Sequence, residues 1–231
     1  ICGVGLREED RKIANVLKSQ DYLYTLIVKH PDGKIENRVI GSLIDFMLGW
    51  DDPAAIIDKM ASTQTKIVSL TITEGGYNFN PATGEFDFNH PDVIHDLANP
   101  SSPKMVFGYL TAALKKRRAA GLHPFTIQSC DNIQHNGDIT RKMLLAFANK
   151  QDADLAQWIE REVCFPNAMV DRITPVTTPA DMDYLENTLG VQDAWPVTCE
   201  PFIQWVIEDT FSDGRPMWEK VGVQFVADVT P

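Results

Sequence analysis

The chain has 231 residues, 44% of them hydrophobic and 23% charged, an ordinary globular balance with enough length to bury a full core. Its 32 acidic residues outweigh 21 basic ones, for a formal net charge of −11, and so acidic a surface argues against nucleic acid as a partner. Four widely separated cysteines (Cys2, Cys130, Cys164, Cys199) without a CxxC point to reduced thiols and a cytoplasmic setting, and no apolar run approaches the ~20 residues of a membrane span.

Ile1 to Leu6 reads as a buried strand. Glu8, Glu9 and Asp10 suit a helix N-terminus, and Ile13, Val16 and Leu17 give that helix an apolar face. Tyr22 to Val28, the turn Pro31-Asp32-Gly33 and Ile35 to Leu43 predict an antiparallel hairpin inserted into an α/β unit. Asp51-Asp52-Pro53 supplies a cap and an N1 proline for a helix over Ala54 to Met60. Lys66 to Thr73 is the clearest strand, its apolar run suited to a sheet covered on both faces.

Gly75-Gly76 ends that strand, and Tyr77 to Phe88 reads as a long polar loop. Pro103 to Ala120 predicts a helix with the stripe Val106, Tyr109, Leu110, Ala113 and Leu114, basic last turns from Lys115 to Arg118, and Gly121 as its stop. Pro124 to Ser129 is a strand; Asp138 to Asn149, Asp154 to Val163 and Pro179 to Leu189 are helices, the last closed by Gly190. Phe202 to Ile207 and Val221 to Val229 are late strands. The alternation predicts an α/β fold: a largely parallel sheet flanked by helices, with an inserted β-hairpin and additional late strands.

Gly3-Val4-Gly5, between a strand and a helix, invites a dinucleotide fingerprint, with Asp21 near the acidic position ~20 residues on. The third glycine is missing, and three acids at the helix start oppose a pyrophosphate. The run fits better as the second strand of a Rossmann-type sheet, where carboxylates just beyond the strand hold the adenosine ribose. Glu9 and Asp10 are then candidate cofactor selectors, accepting from a 2′-hydroxyl and repelling a 2′-phosphate; equally, the acids suit a plain helix start.

Ligands of open α/β sheets bind beyond the carboxyl ends of strands. Thr73 and Glu74, beside Gly75-Gly76, are candidates for bonds to ribose or amide groups, or simply a glycine turn with an exposed acid. Ser129-Cys130-Asp131-Asn132 closes the next strand, followed by Gln134, His135, Asn136 and Gly137. Asn132 can hold a substrate oxygen as it gains alkoxide character, although the segment also suits a loop of turn formers and caps. Asp171-Arg172, between apolar residues and prolines, reads as the lining of a polyol pocket or as a structural ion pair. His90 and His95 are five apart, against the i,i+4 pair of a helical zinc motif, so no metal is expected. No Ser/His/Asp triad has local sequence support.

Taken in order, ICGVGLREED, QDYLYTL, RVIGS, IVSLTITEGGY, SCDNIQHNG, FPNAMVDRITPVT, CEPFIQWVIED and GRPMWEKVGVQF resemble the long-chain mannitol dehydrogenase family of polyol-specific dehydrogenases. The resemblance covers nearly the whole chain. EGGYNFNPATGEFD and SCDNIQHNG are most like members acting on D-mannitol; fructuronate reductases and arabinitol dehydrogenases are the nearest relatives.

The resemblance implies a metal-independent, NAD-linked interconversion of D-mannitol and D-fructose. It implies a Rossmann-type N-terminal domain followed by a mostly helical one, usually in a monomer. It places the ribose-reading acids on Glu9 and Asp10, one of two asparagines holding the reactive oxygen on Asn132, and an acid near the polyol on Asp171. The chain begins at Ile1 within one strand-like run and ends at Pro231 after another, so residues 1–231 are expected to be an incomplete NAD-binding domain. The first strand and glycine-rich turn would precede Ile1. A Lys-x4-Asn-x2-His helix carrying the general base and the helical domain would follow Pro231. Lys220 is no substitute for that lysine. Were the chain natively this short, a non-catalytic dinucleotide-binding module would be the alternative.

Overall fold

A computed structural model of the chain describes residues 1–80 and 82–230; Pro81 and Pro231 lie outside the described residues. In chain order the elements are β1 (Cys2–Gly5), α1 (Asp10–Ser19), β2 (Tyr24–Lys29), β3 (Ile35–Ile40), β4 (Asp45–Leu48), α2 (Pro53–Ala61), β5 (Ile67–Leu70), α3 (Thr73–Gly76), α4 (Pro91–Ala98) and α5 (Val106–Ala119). They continue with β6 (Thr126–Ser129), α6 (Asn136–Gln151), α7 (Ala153–Glu162), β7 (Ala168–Asp171), α8 (Pro179–Leu189), β8 (Val197–Cys199), β9 (Gln204–Glu208), a 3-10 turn (Trp218–Val221) and β10 (Gln224–Val226). Two compact units result: Ile1–Asp51 with Asp171–Ile203, and Asp52–Val170 with the stretch from Gln204 onward.

In the first unit β1 and β4 pair in parallel, and α1 packs on them through Ala14 and Leu17. β1 is not the buried strand expected over residues 1–6: only Gly5 is buried, and Ile1 and Val4 are exposed. The hairpin expected from the turn at Gly33 forms as β2 and β3, antiparallel over six pairs. β8 then joins β2 in parallel. Buried Asp193 fixes this arrangement by accepting from the Thr25 amide (2.5 Å), Gln20 Nε2 (2.9 Å) and the Trp195 amide (2.9 Å). α8 starts with a capping box between Thr178 and Asp181, and Lys29 of β2 pairs with that same Asp181 at 2.5 Å.

The second unit is built around α5, which α2, α4 and α6 contact. The predicted stripe is buried, but Phe107, Gly108, Thr111 and Arg117 are buried too, so the helix is enclosed almost all round. It starts at Val106 rather than Pro103, where Asp96 accepts from the Lys104 (2.8 Å) and Met105 (2.9 Å) amides. β5 and β6 pair in parallel, while β9 lies between β7 and β10. Arg215 secures the late strands, its guanidinium 3.4 Å above the Phe225 ring and forked onto Asp209. The last predicted strand shrinks to β10 because Trp218–Val221 turns as a 3-10 helix and Trp218 packs 5.0 Å from Trp205.

Two further expectations are corrected. The strand expected through Thr73 stops at Leu70, and of its residues only Leu70 is buried. The supposed polar loop from Tyr77 to Phe88 is anchored by buried Tyr77, Asn78 and Phe86. Phe86 contacts Phe88, Phe107 and Phe147 at centroid distances of 5.0, 5.7 and 5.9 Å. α4 follows it, unforeseen, with His90 as cap and Pro91 at its first turn.

Arg117, expected as one of several basic last-turn residues, is instead fully buried. Its guanidinium donates to the carbonyls of Ser62, Thr65 (2.5 Å) and His123 (2.7 Å) and lies 5.2 Å above the Phe125 ring. It thereby joins the segment after α2 to the segment before β6. Arg117→Ala leaves three carbonyls without that donor and should lower the unfolding free energy by about 3 kcal/mol, measured by urea denaturation. A loss under about 1 kcal/mol would contradict this role.

Candidate active site

Each unit carries one group of candidate residues. In the first, the glycines of Gly3-Val4-Gly5 serve close packing. A Cβ on Gly3 would lie 2.5 Å from the Phe46 ring, and one on Gly5 would lie 2.5 Å from Asp10 Cβ. Neither glycine has positive φ. The run is thus a strand pressed against its own neighbours.

The acids after β1 differ in their bonding. Asp10 is half-buried, and its Oδ2 accepts from the Arg7 amide at 2.9 Å, closing the turn into α1. Glu9 occupies the N-cap position with helical backbone angles, is exposed, and makes no side-chain hydrogen bond among the described residues. Arg11 is committed to Asp51 through two contacts of 3.1 and 2.6 Å, which raise the guanidinium's pKa. No described cation forms an ion pair with Glu8, Glu9 or Asp10, although Arg11 attracts Glu8 at longer range, so the helix start carries a cluster of acidic charge. That charge suits neutral hydroxyls and opposes phosphate.

Asp171, at the end of β7, is exposed and makes no side-chain bond among the described residues. The ion pair considered for Asp171-Arg172 does not form. The Arg172 guanidinium instead donates to the Glu200 carbonyl at 3.2 and 3.1 Å, while Glu200 Oε1 accepts from the Ile173 amide at 2.6 Å.

In the second unit, β5 and β6 end level, Leu70 opposite Ser129, and the Cys130 amide donates to the Leu70 carbonyl at 2.8 Å. The next residue is central. Asp131 accepts from the Ile72 amide (3.0 Å), the Thr73 amide (2.9 Å) and the Tyr77 hydroxyl (2.7 Å). Tyr77 Oη also lies 2.6 Å from Ser129 Oγ, and the Asp131 amide donates to Ser129 Oγ at 3.3 Å. An ionised carboxylate only accepts, so the tyrosine proton points to Asp131 and the serine proton to the tyrosine. The result is a closed ring. Burial first, and the neighbouring Asp131 charge with it, raises the Tyr77 pKa well above that of a free phenol.

The carbonyl of Asp131 is held as well, by Asn136 Nδ2 at 3.0 Å. Buried Asn136 pairs further with both backbone groups of Ala168, donating to its carbonyl (2.8 Å) and accepting from its amide (2.9 Å). Asn167 Oδ1 accepts from the Gly137 and Asp138 amides, occupying the N-terminus of α6 with protein. Glu208 in turn accepts from the Asn167 backbone and side chain. Thr73 and His135 both adopt left-handed backbone angles, with φ of 60 and 54°.

Against this bonded frame Thr73, Glu74 and Asn132 stand exposed, their side chains without hydrogen bonds among the described residues. Water solvates them, and a ligand can replace that water without breaking an internal bond. Asp131, Asn136 and Asn167 are the supporting residues that sequence reasoning passed over. The one available signal was an acid directly after a buried strand, in a segment already crowded with polar residues. No described group of three or more His, Cys, Asp or Glu residues is arranged to hold a metal, and no described helix is long and apolar enough to cross a membrane.

Parallel pairs β1–β4 and β5–β6, helices alternating with strands, and free polar groups after the strands define a Rossmann-type α/β protein. Over residues 1–220 the sequence matches the mannitol dehydrogenase Rossmann domain, and the chain belongs to the mannitol dehydrogenase family. It is 52% identical over 231 residues to mannitol 2-dehydrogenase of Emericella nidulans, covering 99% of this chain and 46% of the relative. The Neosartorya fischeri mannitol 2-dehydrogenase is 53% identical with the same coverage. Among solved structures, the Pseudomonas fluorescens mannitol 2-dehydrogenase ternary complex with NAD and D-mannitol is 58% identical, with a TM-score of 0.97 over 100% of this chain and 47% of that one. A substrate-free D-sorbitol dehydrogenase is 47% identical, with a TM-score of 0.96 over 99% of this chain and 48% of that one. The chain thus spans about half the length of the relatives it matches.

Cys130 gives a direct check on the burial of the β6 end. Burial, aided by the Asp131 charge, pushes its thiol up to about 11. A thiol whose pKa is raised on folding stabilises the fold below its unfolded value, about 8.5, and that stabilisation is lost as pH rises through the folded value. Alkylation of Cys130 by iodoacetamide at pH 8, followed by site-resolved mass spectrometry, should run about 100-fold slower than in the urea-unfolded chain. The native rate should climb up to about pH 11; a plateau near pH 9 would contradict the shift.

Proposed function

We propose that the protein carrying this chain is an NAD-dependent mannitol 2-dehydrogenase that interconverts D-mannitol and D-fructose, and that residues 1–231 supply part of its NAD-binding domain. The observation that carries the reading is the likeness to the Pseudomonas fluorescens enzyme complexed with NAD and D-mannitol, at 58% identity and TM-score 0.97. The resemblance extends it to a metal-independent enzyme, cytoplasmic and monomeric.

The free acid after β1 fits an adenosine ribose. Glu9 has an exposed carboxylate able to accept from both ribose hydroxyls, and Asp10, anchored to the Arg7 amide, adds charge against a 2′-phosphate. Thr73 and Glu74 offer a hydroxyl and a carboxylate to ribose or carboxamide groups. NAD, when bound, supplies the hydride acceptor for oxidation of the polyol. Asn132 donates from its carboxamide to the substrate oxygen as that oxygen gains negative charge on losing its proton. Asp171 accepts from a polyol hydroxyl.

Oxidation of NADH followed at 340 nm with D-fructose should show turnover by the protein in which this chain occurs, with D-mannitol rather than D-sorbitol as the product, exceeding that with D-xylulose or fructuronate. Turnover with fructuronate alone would replace the reading by that of a uronate reductase. Glu9→Ala and Asp10→Ala should each raise the NADP-to-NAD ratio of kcat/KM by about tenfold or more. An unchanged ratio in both variants would remove these residues from cofactor selection.

A further inference from the structure

We infer that Asp131 is a positioning residue of this reaction, resting on the reading above: its carboxylate fixes the strand end from which Thr73 and Glu74 project, and its main chain fixes Asn132. Three observations converge on it. The carboxylate gathers two consecutive amides, Ile72 and Thr73, across from β5. It also takes the proton of Tyr77, buried four residues beyond Thr73. Finally, the Asp131 carbonyl is bound by Asn136, itself doubly bonded to Ala168.

These bonds explain an otherwise unfavourable backbone. Thr73 is β-branched yet has a φ of 60°, a region such residues rarely enter. The two consecutive amides leading into this residue converge on one carboxylate, whose two oxygens serve both of them and the phenol. Three of the carboxylate's acceptor positions are taken by Ile72, Thr73 and Tyr77, so its bonds are directed inward. It acts through its neighbours, holding the free side chains of Thr73, Glu74 and Asn132 in fixed mutual register at the ends of adjacent strands.

Asp131→Asn replaces one acceptor oxygen with a donor and so sets an N–H against an N–H or O–H. In the full-length protein, kcat with D-fructose and NADH should fall about 50-fold, as expected for small misplacement of reacting groups, while far-UV circular dichroism is kept. Amide exchange followed by mass spectrometry should become about tenfold faster at Ile72 and Thr73. A folded Asp131→Asn protein with kcat within twofold of wild type overturns the inference. So does unchanged amide exchange. If Asp131→Asn does not fold, Tyr77→Phe decides: it should lower kcat about threefold and speed exchange at Ile72, and unchanged values overturn the inference. Wild-type protein inactive with D-fructose would instead sink the proposed function, while the exchange measurement would still judge the clamp.

Discussion

Beyond β5 the chain turns into a left-handed residue, Thr73, and the two consecutive amides leading into it need an acceptor. Asp131 provides it from the neighbouring strand. Bonds to a carboxylate are charge-assisted, and this one is shared by two backbone donors and a phenol, so the turn, the strand end and Tyr77 are fixed together. The same residue's carbonyl ties this cluster to Asn136, and through Asn136 to Ala168 and β7. The polar groups at this edge therefore divide into two kinds. Asp131, Asn136 and Asn167 are bonded to internal partners. Thr73, Glu74 and Asn132 are left to water or ligand. A site needs both, since free groups without a bonded frame would not hold a geometry.

The first unit shows the same economy with different means. Gly3 and Gly5 let Phe46 and Asp10 come within a distance no side chain would allow, so β1 is shaped by removing atoms rather than by adding bonds. Asp10 is partly consumed by the turn it closes, whereas Glu9 is not. Two adjacent acids with the same charge thus have different bonding capacity. This difference bears on the proposed selection of NAD, since a carboxylate at the end of the second Rossmann strand can hold a ribose hydroxyl.

Much of the fold was legible. Helices announced themselves through caps and stops: Asp52 and Pro53 before α2, Gly121 after α5, Pro179 and Gly190 around α8. The hairpin followed from its turn. What stayed hidden was short or long-range. β4, β7 and β8 are three or four residues long, and β4 and β8 are completed by partners distant in sequence, so no local alternation betrays them. Arg117 looked like any basic last-turn residue, because burial is decided by Ser62, Thr65 and His123 arriving from elsewhere. The position of Asn132 was readable from resemblance, but the bonding that holds it was not. The partners of the Asp131 carboxylate lie 54 to 59 positions away, beyond the reach of any local pattern.

The first unit is discontinuous, and that has a consequence for how the protein is made. Asp193 reaches back 168 residues to the Thr25 amide, and β8 supplies the second neighbour of β2. Until the ribosome has delivered those residues, β2 and β3 are a lone hairpin with an exposed third strand, marginal in water. The intervening segment contains most of the second unit. At synthesis rates of about 5–20 residues per second, the opening segment therefore waits several seconds or longer, while the helices around α5 are free to assemble. This opening segment emerges early and settles late.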